Sequence, residues 1–181
     1  MKMSRVLKNL SKYSPGIRNI FVVGDLANTC QASEYTEMMR LFSDTTLLRK
    51  GIRSTYIRGN HDNFKKNGGL LFDSIVQQPR HQYQIIQGYP FISISSTSDA
   101  FRGEKCYDEE ARQFLSESLA DAAKNFPGKP IFVFNHVLPI NTIIGSMVNS
   151  GWMAYALLID EILNTYQQLI DFTCLTYYII L

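Results

Sequence analysis

Thr55-Tyr56-Ile57-Arg58 runs without a spacer into Gly59-Asn60-His61-Asp62. The first four residues read as a strand, because β-branched and aromatic side chains suit a pleated, half-buried surface. The next four place an amide, an imidazole and a carboxylate on the turn that leaves it. Two other apolar runs end in a similar way. Ile20-Phe21-Val22-Val23 is followed by Gly24-Asp25, and Ile131-Phe132-Val133-Phe134-Asn135 by His136. In sheets built from strands and helices, chemistry gathers in the loops just past the carboxyl ends of the strands. Only three histidines exist, and two of them, His61 and His136, stand at such exits. Asp25, Asn60 and His136 offer a carboxylate, an amide oxygen and an imidazole without a thiolate. Such a set suits divalent Mn, Fe or Zn.

Further strands are expected at Tyr83–Ile86, Phe91–Ser95 and Leu169–Thr173, and helices near Arg5–Tyr13, Ser33–Lys50, Asp108–Asn125 and Met153–Tyr166. In the third helix Phe114, Leu115, Leu119 and Ala122 recur at three- and four-residue steps and make one apolar face. Asp108 can cap it, Glu109 and Glu110 fill its first turn, and Pro127-Gly128 ends it. Strands alternating with helices of this length predict an α/β sandwich of mostly buried strands. No repeat, low-complexity segment or linker divides the chain, so residues 1–181 read as one domain.

Composition narrows the function classes. A net charge of +2 is too mild for a nucleic-acid footprint, and the basic residues are scattered along the sequence. The most apolar tail, Leu169 to Leu181, contains Asp171 and is too short to span a bilayer. No secretory signal opens the chain. Cys30, Cys106 and Cys174 are odd in number and form no CxxC pair. Unpaired thiols point to a reducing cytoplasm. Neither a complete phosphate-binding P-loop around Gly128-Lys129-Pro130 nor a G-x-S-x-G elbow is present.

Gly24-Asp25, then Gly59-Asn60-His61-Asp62, then an apolar strand ending in His136 resembles the calcineurin-like metallophosphoesterases. That family reads D-x-H, G-D, G-N-H-[DE], a lone His and finally G-H-x-H. Asn60 follows Asp25 by 35 residues and His136 follows His61 by 75, which fits the family. Gly88 to Ser95 resembles the strand between those motifs. The resemblance implies that Asp25 bridges two ions and that Asn60 and His136 hold the second. It implies that His61 faces the phosphate and protonates the leaving oxygen, while Asp62 orients His61. The implied activity is metal-dependent hydrolysis of phosphate mono- or diesters.

Two motifs of the family are not intact. No histidine precedes His61, so D-x-H is absent, and Arg5 to Tyr13 reads as the helix that normally follows it. Cys174-Leu175-Thr176-Tyr177 stands in place of G-H-x-H. The first ion's site keeps Asp25 with Tyr177 as a poor substitute, and the second keeps Asp25, Asn60 and His136. The expectation is therefore an incomplete domain, truncated at both ends, binding at most one ion weakly. A catalytically inactive relative that binds a phosphorylated ligand or a protein, or a decayed product, is the alternative. The expected partner is a phosphorylated small molecule or phosphodiester, with neither nucleic acid nor membrane. An unpaired sheet edge would favour self-association.

Bland readings stand beside these. Asp25 could be a turn residue after Gly24, and His136 a satisfied core histidine. The parallel placement of three strand exits favours the ligand reading. His81, among Gln78, Pro79, Arg80 and Gln82, reads as a surface residue. Asn28 could reach the site from the loop after Asp25.

Overall fold

β1 (Asn19–Val23) and β2 (Arg53–Ile57) pair in parallel, with Asn19 opposite Arg53 and Val23 opposite Ile57. Their carboxyl ends, and the loops beyond, therefore leave the sheet side by side. The structure is a computed structural model that describes residues 2–64, 67–97, 106–137, 162, 163, 165 and 166, and the backbone of 170–174 and 178–180. β7 (Tyr178–Ile180) lies antiparallel on the other edge of β1, giving the order β2-β1-β7. No strand was expected after the degenerate last motif. β7 pairs through Tyr178, Ile179 and Ile180 and leaves β1 flanked on both sides.

The second sheet has the order β3-β4-β5-β6. β3 (Gln82–Ile86) and β4 (Tyr89–Ile94) form an antiparallel hairpin, while β5 (Ile131–Asn135) is parallel to both β4 and β6 (Ile170–Cys174). Both sheets are mixed, as expected. Phe134 pairs with Cys174, so β6 ends beside the strand that delivers His136. Leu175 and Tyr177, the residues in place of the last motif's histidines, lie outside the described residues.

Alternation along the strands sorts side chains into layers. Ile20 and Val22 pack with Leu7 of α1 (Lys2–Tyr13), Tyr35 and Leu41 of α2 (Ala32–Ser43) and Phe72 of α3 (Gly68–Val76). Phe21 and Val23 point the other way, onto Phe91 and Phe134 of the second sheet. Ile92, Ile94, Ile131 and Val133 pack outward on Leu115 and Leu119 of α4 (Glu109–Asn125). The order is thus helices, sheet, sheet, helix: an α/β sandwich. Its middle layer is aromatic. The Phe21 and Phe134 rings stack at 4.2 Å and 4°, and Phe91 and Phe132 at 4.7 Å and 14°. Each fully buried side chain of this size contributes about 1.5–3 kcal/mol of transfer free energy.

Three local expectations change. The helix expected over Ser33–Lys50 stops at Ser43, whose hydroxyl bonds back to the carbonyls of Met39 and Arg40. Asp44 then takes the N–H and hydroxyl of Thr46 into an Asx turn, which competes with further helix. α3 was not anticipated, because Gly68-Gly69 opens it and only tertiary packing of Phe72 and Val76 supports it. His81 is buried at 9% exposure, against the Phe114 ring at 5.5 Å. Its polar sequence neighbours gave no hint of the α4 side chain covering it. Of the helix expected over Met153–Tyr166, only Ile162, Leu163, Thr165 and Tyr166 fall among the described residues.

Candidate functional site

The exits of β1 and β2 are tied together before any functional side chain is placed. Gly24 N–H donates to the Ile57 carbonyl at 2.8 Å. Asp62 then joins both loops, accepting from Gly59 N at 2.8 Å, Ala27 N at 3.0 Å and Leu26 N at 3.3 Å. Asp62 is fully buried. Burial pushes its carboxyl above the usual range, and the three N–H donors oppose that shift without cancelling it. Asp62 thus anchors backbone 35 and 36 residues away. His61 Nδ1 lies 2.9 Å from the Asn28 carbonyl, which fixes one side of its ring.

That carbonyl is itself fixed. Glu34, in the first turn of α2, accepts from the backbone N–H groups of Asn28, Thr29 and Gln31. An Nδ1–H donated to Asn28 leaves Nε2 as the atom of His61 that can exchange a proton. The ring rests on Phe64, with centroids 4.0 Å apart. Asn28 therefore reaches the site through its main chain.

Asp25 sits at φ 50 directly after Gly24 at φ 76, two consecutive left-handed residues. An aspartate held there carries backbone strain, a cost that persists only where surrounding contacts enforce it. His61 N–H donates to Asp25 Oδ1 at 3.0 Å. His136, from the second sheet, brings Nε2 to 3.3 Å from the same oxygen and to 3.2 Å from Asn60 Oδ1. Three of the sequence-derived ligands therefore meet at one point, with Asp25 and His136 side chains only 16% and 14% exposed.

Both glycines are required by this closeness. A Cβ on Gly24 would stand 1.9 Å from His136 Nδ1, and one on Gly59 would stand 2.3 Å from Asp25 Oδ1 and 2.5 Å from its backbone nitrogen. The exit of β5 is held separately. Tyr107, buried on the α4 side, accepts the Val137 N–H through its hydroxyl oxygen at 3.2 Å. The Asn135 amide donates to the Val137 carbonyl across His136. Asn63 closes the β2 exit by donating to Gly59 O at 2.9 Å and Ser96 O at 3.2 Å. None of these three supports was anticipated from the sequence: Tyr107 and Ser96 stand 30 and 33 residues from their partners, and the local bonds of Asn135 and Asn63 depend on how each strand exit turns.

The donor geometry is compatible with one cation. An ion about 2.1 Å from each of two neighbouring ligands separates them by about 3.0–3.4 Å. His136 Nδ1 faces the Val23 carbonyl at 3.4 Å. Donation there directs the Nε2 lone pair at two oxygens, an arrangement that a proton or a cation between them stabilises. Burial lowers the His136 pKa, but the hydrogen bond and charge of Asp25 outweigh it and the net shift is upward. Burial likewise raises Asp25, yet His136 and the His61 N–H bring it below the usual carboxylate range. Among the described residues the buried Asn60 Nδ2 group has no hydrogen-bond partner, so this amide meets the site through its oxygen. Among the described residues no group of three or more His, Cys, Asp or Glu is placed to hold a metal. The trio exists only because an amide completes it.

Among the described residues no helix is long and apolar enough to cross a membrane. Set against known protein families and curated proteins, the chain matches no family model and no curated protein.

Proposed function

We propose that the chain is a metal-dependent phosphoesterase of the calcineurin-like type, reduced to a single ion held by Asp25, Asn60 and His136. The observation that supports this reading is the convergence of Asp25 Oδ1 and Asn60 Oδ1 on His136 Nε2, at 3.3 and 3.2 Å. A bound Mn, Fe or Zn ion would supply Lewis-acid neutralisation of a phosphate and a more acidic water. The chain's own residues do the rest. Asp25 and Asn60 present their oxygens on a backbone fixed by Asp62. His61, oriented by the Asn28 carbonyl, holds a proton on Nε2 for the departing ester oxygen. Three cysteines, odd in number and without a CxxC pair, favour a reducing compartment such as the cytoplasm.

A second reading, a module that binds a phosphorylated ligand without turnover, is favoured by the donor count, because the trio carries one carboxylate and one imidazole. One experiment separates the two. Purified protein is assayed with p-nitrophenyl phosphate and its bis-ester in Mn²⁺, beside the Asp25→Asn variant, and both are melted with and without Mn²⁺. The phosphoesterase reading expects turnover and a Mn²⁺-dependent rise in Tm, both lost in the variant. A Tm rise without turnover supports the binding module, and equal responses of parent and variant sink the metal assignment.

A further inference from the structure

The opposite end of β1 carries a second site of different chemistry. A cavity of about 280 Å³ opens there between Ile17, Arg18, Arg49, Lys50, Gly51 and Ile52. Arg18 donates from one guanidinium nitrogen to the carbonyls of Pro15, at 3.3 Å, and Ile17, at 3.0 Å. Arg49 donates to the same Pro15 carbonyl from 34 residues away. Two guanidinium groups are thus gathered on a single neutral oxygen, with the exposed Lys50 beside them. Among the described residues no carboxylate lies within ion-pair distance of Arg18, Arg49 or Lys50, although Arg40, Arg58, Arg80 and Arg112 all have one. The chain supplies no acidic residue before Asp25, and α1 adds exposed Arg5, Lys8 and Lys12 nearby in sequence.

Like charges held this close repel, and an anion placed between them relieves that repulsion. Arginine has five donors in a planar fork, and each guanidinium here commits one nitrogen to carbonyls, so donors remain for a tetrahedral oxyanion. The cavity suits a small group and is too small for a polymer groove. We propose that Arg18, Arg49 and Lys50 form a binding site for a phosphate-monoester or diphosphate dianion. The site lies about 20 Å along β1 from Asp25 at the strand rise of extended chain, so it is separate from the candidate metal site. It rests on none of the residues assigned there.

The test is calorimetric titration of inorganic pyrophosphate into the full chain, in metal-stripped buffer at low ionic strength. The expected result is binding that weakens with added salt. It should weaken about tenfold or more in Arg18→Gln/Arg49→Gln, and less in Lys50→Gln. If the double variant melts early, Lys50→Gln carries the test, since that side chain is exposed and supports nothing. Sedimentation with phosphatidylcholine vesicles, with and without phosphatidic acid, tells a lipid headgroup from a free phosphate; capture that needs both arginines supports the site in either case. Equal pyrophosphate affinity in the parent and both variants overturns the proposal. So does loss of binding in Asp25→Asn with retention in the arginine variants, or binding of an oligonucleotide but not of pyrophosphate.

Discussion

The two ends of β1 handle charge in opposite ways. At the carboxyl end, Asp62 is fully buried and meets three backbone N–H groups, and Asp25 meets His136 and the His61 N–H. At the amino end, Arg18 and Arg49 stay exposed and, among the described residues, hydrogen-bond to carbonyl oxygens. A buried charge must be matched within the fold, because desolvation costs several kcal/mol per ion; an exposed one leaves its matching to water or a ligand. The carboxyl end is therefore rigid and intolerant of change, while the amino end is free to vary without cost to the fold. A site built by burial can be recognised by what breaks when it is altered. A site built by exposure can be recognised only by what it binds.

Substitutions can break or sharpen that contrast. The largest effect is expected for Asp62→Ala, which strands the N–H groups of Gly59, Ala27 and Leu26 and should cost about 3–5 kcal/mol in denaturant unfolding. A loss below about 1 kcal/mol would remove Asp62 from its anchoring role. Gly59→Ala comes next, at about 2–3 kcal/mol, because its Cβ meets the Asp25 backbone, which has nowhere to move. It should also abolish any Mn²⁺-dependent rise in Tm.

His81 comes third. Burial, first among the causes, lowers its pKa from 6.5 to about 4. The fold therefore holds the neutral ring, and the stability this represents is present above pH 6.5 and lost as pH falls towards 4. Unfolding free energy should drop by about 2 kcal/mol between pH 7 and 4.5. His81→Gln should remove that part of the slope, and an unchanged slope would contradict the burial. The smallest effect belongs to the amino end: Arg49→Gln should shift stability by less than about 0.5 kcal/mol. A larger loss would mean that Arg49 braces the loop at Pro15 and is not held in reserve for an anion.

Much of the sandwich could be read from local pattern. The strand ending at Asn135 was placed to the residue, and α4 starts at Glu109 with Asp108 accepting the Ala111 N–H as its cap. Those segments carry strong periodicity and strong caps. α3 was invisible because two glycines open it and its stability comes from Phe72 meeting Tyr35 edge-on. The buried place of His81 was hidden because Pro79, Arg80 and Gln82 describe a loop, while Phe114 lies 33 residues away. At the site, residue types at strand exits marked Asp25, Asn60 and His136, and the structure brings them together. The three backbone N–H groups from which Asp62 accepts could not be read from the sequence. The family resemblance speaks only of a pairing with His61, and the partners at Leu26 and Ala27 become visible only when the parallel register of β1 and β2 is known.

One consequence concerns the sandwich as a mechanical object. Asp25 and Asn60 ride on one sheet and His136 on the other, while flat phenylalanine rings lie between the sheets. Stacked plates resist compression, and sideways sliding is opposed by hydrogen bonds between the sheets, from Arg58 to Ser95 and Ser96 and from Gln84 to Thr55. The His136 bridge spans that plane at its rim and acts as a clasp against shear. Any slip of one leaf over the other would separate Asp25 from His136 while every strand ladder stayed intact. The site is thus a sensitive gauge of how the two halves are seated, and a ligand that tightens it would also stiffen the whole domain.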